Sequence, residues 1–385
     1  MSQPLMSRPL TLSDLKQARE LWSLAFPDDN EAFKDWFFAD QFPSLRSWSV
    51  WEKDRLVAVV YAMSYTLACR GRTVPAALIL GVATHPQARR RGLMRGLMRE
   101  VHEDLARSCA AVCLHPFDFD FYRKLGYSVV ADRLRVRLPA REPPTQALSQ
   151  YDPRGSVELS PDFEKLAAIN RRHAGRSGVA AGFSAVRDSS LLARRFADLQ
   201  TGGGFCMMNE QAYAFVDADP SGVFLFPEFS YEDFAAGCSL LAALARSFDV
   251  SLFDFSLAVN DADNAPAWWP PESMTREPFL MMCGLDWPAL VTGMRTSLSA
   301  SSSSPSGIIH ISDDNSCWRI TTSDGTASLS ATDCSQSQSD VSLSRDQFIR
   351  WVCGCSNAEA PVAGKTGAEC LEGFPGLSAF FFDMY

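Results

Sequence analysis

A run of small and charged residues between positions 82 and 93 has the composition of an anion-binding loop. It reads Val-Ala-Thr-His-Pro-Gln-Ala-Arg-Arg-Arg-Gly-Leu and leads from an apolar strand pattern into a helical one. A turn that contains Gly92 and opens a helix leaves several backbone N–H groups without intrahelical partners, and these can bind an anion. The arginines from Arg89 to Arg91 add positive charge where the helix dipole favours negative charge. We therefore expect a phosphate or pyrophosphate here, with a solvated basic helix start as the alternative.

Two familiar phosphate-binding motifs are excluded for this loop. No Gly-Lys-Ser/Thr follows it, as a Walker loop requires, and it lacks the three spaced glycines of a dinucleotide-binding turn. No metal site is expected either. The pairs Cys353/Cys355 and Cys109/Cys113 lack the spacing of a zinc site, so buried thiols are the better interpretation.

The elements that must position this loop can be predicted from hydrophobic periodicity. An apolar β-rich run covers residues 75–83, and Leu93, Leu97, Val101 and Leu105 then recur at intervals of four, as in a helix. The other predicted helices cover residues 15–26, 121–125, 163–172, 189–198, 233–247 and 286–298. The other predicted strands cover residues 48–51, 56–66, 110–114, 128–138, 204–208, 212–217, 224–231, 251–259, 308–313, 317–322 and 326–330. This alternation predicts an α+β fold.

Length and composition exclude several classes of protein. The chain has 385 residues, of which 46% are hydrophobic and 21% charged, as expected for two or three globular domains. No apolar run is long enough to span a membrane, and the N-terminus does not read as a signal peptide. The 11 cysteines, an odd number without a secretion signal, favour reduced thiols and a cytoplasmic protein. The proline-rich residues 139–153 read as a linker.

The charge is unevenly distributed along the chain. Residues 1–138 contain 20 Lys and Arg against 15 Asp and Glu, whereas the remaining residues contain 16 against 30. The basic first third is consistent with an anionic ligand at the loop. The acidic excess lies mostly outside this third, and solvated acidic surface is its ordinary explanation. Nothing in the sequence indicates a nucleic-acid or membrane partner.

The loop and a second segment together resemble a known enzyme family. Arg89 and Gly92 stand in the places of the acyl-CoA pyrophosphate loop of GNAT N-acetyltransferases, [QR]-x-x-G-x-[GA], although Met94 replaces the usual small residue. The longer string GVATHPQARRRGLMRGLM is similar to the Eis (enhanced intracellular survival) subfamily. The segment Phe121-Tyr122-Arg-Lys-Leu-Gly-Tyr127 resembles the Phe-Tyr and Lys-x-Gly-Tyr pattern of the same fold.

The resemblance implies a role for each residue at the site. Acetyl-CoA would be the co-substrate, bound without a metal by Val82, Thr84, Arg89, Arg90, Arg91, Gly92 and Leu93. Backbone N–H groups near Val82 and Thr84 would polarise the thioester carbonyl and pair with the pantetheine arm. Tyr122 would be the general acid that protonates the departing thiolate, and core packing is its alternative role. Phe26 and Trp36 would line the acceptor pocket, although core packing explains them equally well.

The general base is assigned only by the resemblance. In Eis-like enzymes the C-terminal carboxylate enters the active site of the first domain and accepts the amine proton through water. This chain ends Phe-Phe-Phe-Asp-Met-Tyr, so the terminal carboxylate of Tyr385 is the candidate and Asp383 the second choice. The usual pKa of a terminal carboxylate is about 3.3–3.7, so burial or a water relay would be needed for useful basicity.

The resemblance also implies the architecture and the activity. Residues 1–140 would be a catalytic GNAT domain, residues 154–283 a degenerate GNAT-like domain, and residues 284–385 a sterol-carrier-protein-like α/β domain that ends in the active site. The expected activity is sequential transfer of an acetyl group to the primary amine of a cationic acceptor, such as an aminoglycoside-like molecule, a polyamine or a lysine. A non-catalytic acyl-CoA sensor or lipid carrier is the alternative. By resemblance, six copies would form a homohexamer.

Overall fold

The computed structural model describes residues 5–140, 148–176, 183–259, 261, 265–295, 306–333 and 341–353. The contacts between these residues divide the chain into two compact units. The first unit contains the described residues up to Val130, together with Phe183 and those from Leu280 to Cys353. The second contains the other described residues between Ala131 and Phe279. The three-domain division at residues 140, 154 and 284 stays a prediction.

Strands dominate the first part of the chain. They are β1 (Leu5–Arg8), β2 (Arg46–Glu52), β3 (Arg55–Cys69), β4 (Arg72–Thr84), β5 (Ala111–Leu114) and β6 (Ser128–Pro139). The helices are α1 (Leu15–Ala25), α2 (Glu31–Trp36), α3 (Leu93–Leu105) and α4 (Phe119–Arg123). All the strands and helices predicted for this part are confirmed, and most strands extend a few residues beyond the prediction.

The middle of the chain continues the alternation. Its strands are β7 (Ser156–Glu158), β8 (Phe183–Ala185), β9 (Phe205–Met208), β10 (Ala212–Ala218), β11 (Val223–Tyr231), β12 (Leu252–Ala258) and β13 (Met274–Gly284). Its helices are α5 (Phe163–Arg176), α6 (Ser189–Thr201) and α7 (Phe234–Ser247). The last part contains α8 (Trp287–Val291), β14 (Ser306–Ile311), β15 (Ser316–Ser323), β16 (Thr326–Thr332), β17 (Val341–Leu343) and α9 (Arg345–Cys353).

The sheet of the first unit has the order β1-β2-β3-β4-β5-β13. Neighbouring strands run antiparallel, except that β4 and β5 are parallel. Helix α3 packs its apolar stripe against the sheet, because Leu97, Met98, Val101 and Leu105 are all buried in one cluster with residues of β2 to β5. Helix α3 is the crossover connection between the parallel strands β4 and β5. The loop after β4 must therefore lead from the end of that strand to the start of α3.

The last part of the chain adds a small layer to the first unit. Its sheet has the order β16-β15-β14-β17, and Asp324-Gly325 turns β15 into β16 with positive φ angles of 50° and 70°. Asp-Gly is a typical sequence for such a hairpin turn, and the two strands that it joins are those predicted over residues 317–322 and 326–330. The tip of the β3–β4 hairpin contacts this layer, because Arg72 donates a hydrogen bond to the Ala289 carbonyl at 3.0 Å.

The second unit has its own sheet and core. Its strand order is β6-β12-β11-β10-β9-β7, with β11 and β12 parallel. Helix α7 is buried along most of its length, and an aromatic cluster fills the space between this helix and the sheet. The members of that cluster include Phe226, Phe229, Tyr231, Phe253, Phe255 and Trp269. Burial of this many apolar rings is the main stabilising contribution to the unit.

Two predictions about elements are wrong. The helix expected over residues 286–298 covers only Trp287–Val291, because Gly293 adopts a φ of +86° and the backbone turns there. Its start is as expected, since the Asp286 carboxylate accepts the Ala289 N–H. Strand β13 was not predicted, because its buried residues form a continuous run instead of alternating and it contains Pro278.

The cysteines differ at one position from the expectation of reduced thiols. Seven of those in the described part of the chain are free thiols: Cys69, Cys109, Cys113, Cys206, Cys238, Cys283 and Cys353. Cys317 is disulfide-bonded. The expectation therefore holds for these seven residues and is wrong for Cys317.

Candidate functional site

A bulge in β4 shapes the site. Val59 pairs with Ala83 and Tyr61 with Leu80, so that Gly81 and Val82 both lie opposite Val60. Gly81 has a φ of +56°, and a Cβ atom there would lie 2.5 Å from Trp22 Cζ3. Only glycine fits this position, both because of its backbone conformation and because of the close approach of Trp22.

The pairing of β4 with β5 ends just before this bulge. Strands β4 and β5 pair only as far as Leu78 and Cys113, whereas β4 continues to Thr84. The last residues of β4 therefore have β3 on one side and no paired strand on the other. Because β5 ends at Leu114, the end of β4 borders a gap between the two parallel strands in the described part of the chain.

The backbone N–H groups expected to line this gap have the required direction. The His85 N–H donates to the Val57 carbonyl of β3 at 2.8 Å. Because successive N–H groups of a strand point to opposite edges, those of Thr84 and Val82 point away from β3. They face the gap, where an elongated ligand could accept hydrogen bonds from β4.

The start of α3 lies at the end of the same strand. Gly92 is the N-cap residue with a φ of +77°, and no side chain caps the helix. Nothing lies within 4 Å of the position that a Cβ of Gly92 would occupy. The free N–H groups that follow, beginning with buried Leu93, form an open anion-binding position at the end of a helix of 13 residues.

The three arginines of the loop differ in their contacts. Arg89 Nε donates to the Thr84 carbonyl at 3.3 Å, whereas Arg90 is exposed with a φ of +62°. Arg91 donates two hydrogen bonds to the Glu52 carboxylate, at 3.1 and 2.7 Å. The pairing with Arg91 lowers the pKa of Glu52. All three arginines thus belong to the loop, and Arg91 forms an ion pair with Glu52.

Arg55, at the start of β3, contacts two residues of the loop. An Arg55 nitrogen lies 2.5 Å from His85 Nε2 and another donates to Gln87 at 3.2 Å. His85 is buried, and its pKa is lowered by burial and by the charges of Arg55 and Arg89. The ring is therefore neutral at neutral pH and acts as a structural part of the loop.

Tyr122 is buried, yet its hydroxyl can take part in chemistry. Its ring makes edge contacts with Phe117, Phe121 and Tyr127 at centroid distances of 5.5, 5.0 and 5.7 Å. The residue is only 2% exposed, and its hydroxyl makes no hydrogen bond to another of the described residues. Burial, and secondarily the charge of Asp118, raises the pKa of Tyr122, so the hydroxyl holds its proton at neutral pH.

Tyr127 packs against the Tyr122 ring and also contacts His102. Tyr127 is buried, and its hydroxyl lies 2.9 Å from His102 Nε2 on α3. Burial and the charge of Arg345 lower the pKa of His102 to about 4. His102 is neutral at neutral pH and can accept the tyrosine proton in a hydrogen bond. The packing role expected for Tyr127 is consistent with these contacts.

The aromatic residues proposed for the acceptor pocket lie in one cluster. Phe26 and Trp36 are both partly buried against the core around Trp22. The ring centroids of Phe26 and Trp22 lie 4.8 Å apart with the rings tilted by 49°, and the Trp22 indole N–H donates to Asp29 at 2.6 Å. Carboxylates on the neighbouring helices are numerous, and Glu31 and Asp35 both pair with Arg19. An aromatic surface with an acidic rim can attract a cation.

Two predicted site residues cannot be placed. Tyr385, whose terminal carboxylate is the expected base, lies outside the described residues, and so does Asp383.

The second unit repeats the arrangement of strands but not the site. Strands β11 and β12 pair from Val223 to Phe226 and then diverge, as β4 and β5 do. Here the helix that follows, α7, is capped by Asp233, whose carboxylate accepts the Ala236 N–H at 2.7 Å. A carboxylate thus occupies the position where an anion would bind. The aromatic rings of Phe229 and Phe255, which are 5.2 Å apart, fill the core beside the diverging strands.

Sequence reasoning missed several residues of the site. Gly81 could have been found, because a single glycine in a strand pattern indicates a bulge. Glu52 and Arg55 gave no such signal, since they pair with residues 39 and 30 positions further along the chain.

Neither a metal site nor a membrane helix is found in the part of the chain that the structure describes. None of its His, Cys, Asp and Glu residues form a group of three that could hold a metal ion. No helix there is long and apolar enough to cross a membrane.

Comparison with known proteins finds a family model that is similar to the first part of the chain. Residues 7–130 match the acetyltransferase (GNAT) domain. No curated protein matches the sequence.

Solved structures match along the whole chain. A GCN5-related N-acetyltransferase from Kribbella flavida covers 99% of this chain and 100% of its own, with 19% identity and a TM-score of 0.77. A probable N-acyltransferase from Enterococcus faecalis covers 100% of both chains, with 15% identity and a TM-score of 0.76. Eis1 from Mycobacterium abscessus covers 99% of this chain and 100% of its own, with 14% identity and a TM-score of 0.70. The predicted α+β class with a GNAT fold is confirmed.

Proposed function

We propose that the protein transfers an acetyl group from acetyl-CoA to the primary amine of a cationic acceptor, and the match of residues 7–130 to the acetyltransferase (GNAT) domain supports this. One observation carries the proposal. The uncapped start of α3 and the gap between β4 and β5 lie at the two ends of one loop, residues 85–92. Together they suit a ligand with a phosphate group at one end and an extended arm at the other.

The residues at this loop fit CoA. The N–H groups after Gly92 would hold the pyrophosphate, with Arg89 and Arg90 adding charge. The N–H groups of Val82 and Thr84 would pair with the pantetheine amides and polarise the thioester carbonyl. When bound, CoA supplies an activated acyl group and a thiolate leaving group.

Tyr122 is the proposed general acid. As the amine nitrogen attacks the thioester carbonyl and the C–S bond breaks, the sulfur receives the phenolic proton. The raised pKa of Tyr122 does not prevent this step, because burial raises the pKa of a thiol as well.

The acceptor is proposed to be a cationic amine bound beside Phe26 and Trp36. Their aromatic surfaces and the nearby Asp29 carboxylate would attract a positive charge. An aminoglycoside-like molecule, a polyamine or a lysine side chain has this chemistry. The base that takes the amine proton is proposed to be the terminal carboxylate of Tyr385, with Asp383 as the second choice.

The proposal extends to the whole protein. The match to Eis1 along the full chain supports an Eis-like organisation, with a degenerate second GNAT domain and a sterol-carrier-protein-like third domain. Within the second unit, the Asp233 cap supports the assignment of degeneracy. A homohexamer belongs to the same proposal by resemblance, and the seven free thiols of the described residues are consistent with the proposed cytoplasmic location.

Substitution of Tyr122 tests the proposed function directly. We expect Tyr122→Phe to lower the rate of CoA thiol release by about 100-fold, which is typical for loss of a general acid. The dissociation constant for CoA should stay within about threefold, because phenylalanine keeps the ring contacts. Thiol release is followed with a panel of aminoglycosides and polyamines, and CoA binding by calorimetry.

Two outcomes would contradict the proposal. An unchanged rate in Tyr122→Phe would exclude its role as the acid. If the wild-type protein releases no thiol with any amine and co-purifies with lipid, the acyl-CoA-sensing or lipid-carrying alternative is favoured.

A further inference from the structure

An acidic side chain lies at the loop proposed to bind phosphates. Glu52, at the end of β2, accepts two hydrogen bonds from Arg91, which immediately precedes Gly92 at the start of α3. Both side chains are partly exposed, 35% for Glu52 and 41% for Arg91. A pair with this exposure contributes little to stability and can open readily.

The loop does not depend on this pair for its shape. Its first residue, His85, is fixed by a backbone hydrogen bond to Val57 and by contact with Arg55. Backbone hydrogen bonds from Ala88 to His85 and from Arg89 to Pro86 close the turn that follows. Arg55 also reaches Gln87. Glu52 is therefore an additional contact on a loop that other groups already hold.

A carboxylate beside a phosphate-binding loop opposes the ligand in two ways. It occupies the guanidinium of Arg91, and its negative charge repels a phosphate. Lys53 and Arg55 also contribute to the lowered pKa of Glu52, but the hydrogen bonds from Arg91 are the largest cause. A phosphate carries more charge than a carboxylate and accepts the same paired hydrogen bonds, so it can take the place of Glu52.

We propose that Glu52 competes with the phosphate groups of CoA for Arg91. In the free protein Arg91 is paired with Glu52, and on binding it exchanges this partner for a phosphate. When CoA leaves, Glu52 takes Arg91 back, so the acid weakens the binding of CoA and speeds its release. This inference rests on the proposed function, because it assumes that the loop binds CoA.

Calorimetric titration of the full chain with CoA tests the proposal. We expect Glu52→Gln to lower the dissociation constant of CoA by about two- to fivefold, the range corresponding to one exposed ion pair. Binding of S-acetyl-pantetheine, which has no phosphate, should be the same in both proteins. A role of Glu52 in general loop stability would change the affinity for both ligands.

Two further variants make the result specific. In an Arg91→Met background, the additional change Glu52→Gln should lower the dissociation constant less than in wild type, because no guanidinium remains to be released. Glu232→Gln is the control: it removes one negative charge and breaks a partly exposed pair with Arg172, of 2.6 Å, in the second unit. This control should leave CoA affinity unchanged.

The possible failures are distinguishable. If wild-type protein binds CoA but Glu52→Gln binds it equally or more weakly, Glu52 holds the loop and does not compete, and only this inference is overturned. An equal gain for S-acetyl-pantetheine would overturn it as well. If wild-type protein does not bind CoA, the proposed function fails, and the inference fails with it.

Discussion

The side chains of Tyr122, Tyr127 and His102 contact one another in the first unit. Each contacts the next, and the last hydrogen bond joins the Tyr127 hydroxyl to a neutral imidazole on α3. This arrangement places the proposed general acid on a support that is itself fixed by α3. Because α3 also begins at the phosphate-binding loop, one helix positions both the proposed anchor of CoA and the support of the acid.

The neutrality of His102 has a consequence for stability. Its pKa is about 4 in the folded protein and about 6.5 in an unfolded chain. Between these values the unfolded chain takes up a proton that the folded protein does not, so stability falls as pH falls from 6.5 towards 4. The stabilisation is fully present above pH 6.5. At pH 4.5 the loss from this one group is about 2–3 kcal/mol.

The variant His102→Gln should remove this dependence. Glutamine keeps a hydrogen-bond acceptor for Tyr127 but does not titrate. We expect wild type to lose about 2 kcal/mol more than the variant between pH 7 and pH 4.5, when urea unfolding is compared at the two values. Equal losses in the two proteins would show that His102 does not contribute to the acid sensitivity.

At the scale of single residues, the sequence predicts what lies close together in the chain. Gly92 and the three arginines could be assigned to an anion site because the turn and the helix start are local features. The partner of Arg91 could not, because Glu52 is 39 positions earlier and meets it only when β2 and β3 form a hairpin. Pairing between distant side chains depends on register, which periodicity alone does not define.

At the scale of elements, the two parallel strand pairs show how one arrangement supports a site in one unit and excludes it in the other. Helix α3 starts at a glycine with no capping side chain, whereas α7 starts at Asp233, which caps it. The cap stabilises α7 by about 1 kcal/mol, and it neutralises the positive end of the helix dipole. Helix α3 lacks this stabilisation, and under the proposed function its first N–H groups bind the phosphates of CoA.

Two glycines of the site should respond differently to substitution. At Gly81, alanine would need a φ of +56° and would clash with Trp22 at 2.5 Å and Tyr61 at 2.7 Å. At Gly92, alanine would need a φ of +77° but would meet nothing within 4 Å. We expect Gly92→Ala to destabilise by about 1–2 kcal/mol and Gly81→Ala by at least twice that. Thermal unfolding measures both, and similar losses would contradict the importance of the Trp22 contact.

The elements themselves were largely predictable, with instructive exceptions. In amphipathic helices such as α3 and alternating strands such as β15, the spacing of apolar residues predicts which side chains are buried. Strand β13 does not, because its second half is buried on both faces. Helix α8 was predicted too long, since Gly293 falls in an apolar pattern that continues past the point where the backbone turns.

At the scale of the whole molecule, the first unit joins two distant parts of the chain. Strand β13 pairs with β5, and Arg345 of α9 donates to the Gly284 carbonyl at 3.2 Å. The described residues therefore place the last part of the chain in the same unit as the proposed active site. The position of the last part of the chain in the first unit could not be derived from periodicity. It was expected only from the resemblance to a family.

The proposed terminal base predicts a sensitivity to the length of the chain. One glycine added after Tyr385 would move the carboxylate by about 3.5 Å. We expect the rate of thiol release with a reactive amine to fall at least tenfold, with the CoA dissociation constant nearly unchanged. Asp383→Asn serves as the comparison. Full activity of the extended chain would exclude the terminal carboxylate, and loss in Asp383→Asn alone would identify Asp383 as the base.

Occupation of the gap between β4 and β5 can also be measured by amide hydrogen exchange, without an activity assay. Amides that face no neighbouring strand exchange their hydrogens with solvent rapidly, whereas amides in a ladder are protected. The N–H groups of Thr84 and Val82 should therefore take up deuterium early, while that of His85, bonded to Val57, should not. A ligand lying in the gap would slow the first two and leave the third as it is. The edge of one strand would then report occupancy, residue by residue.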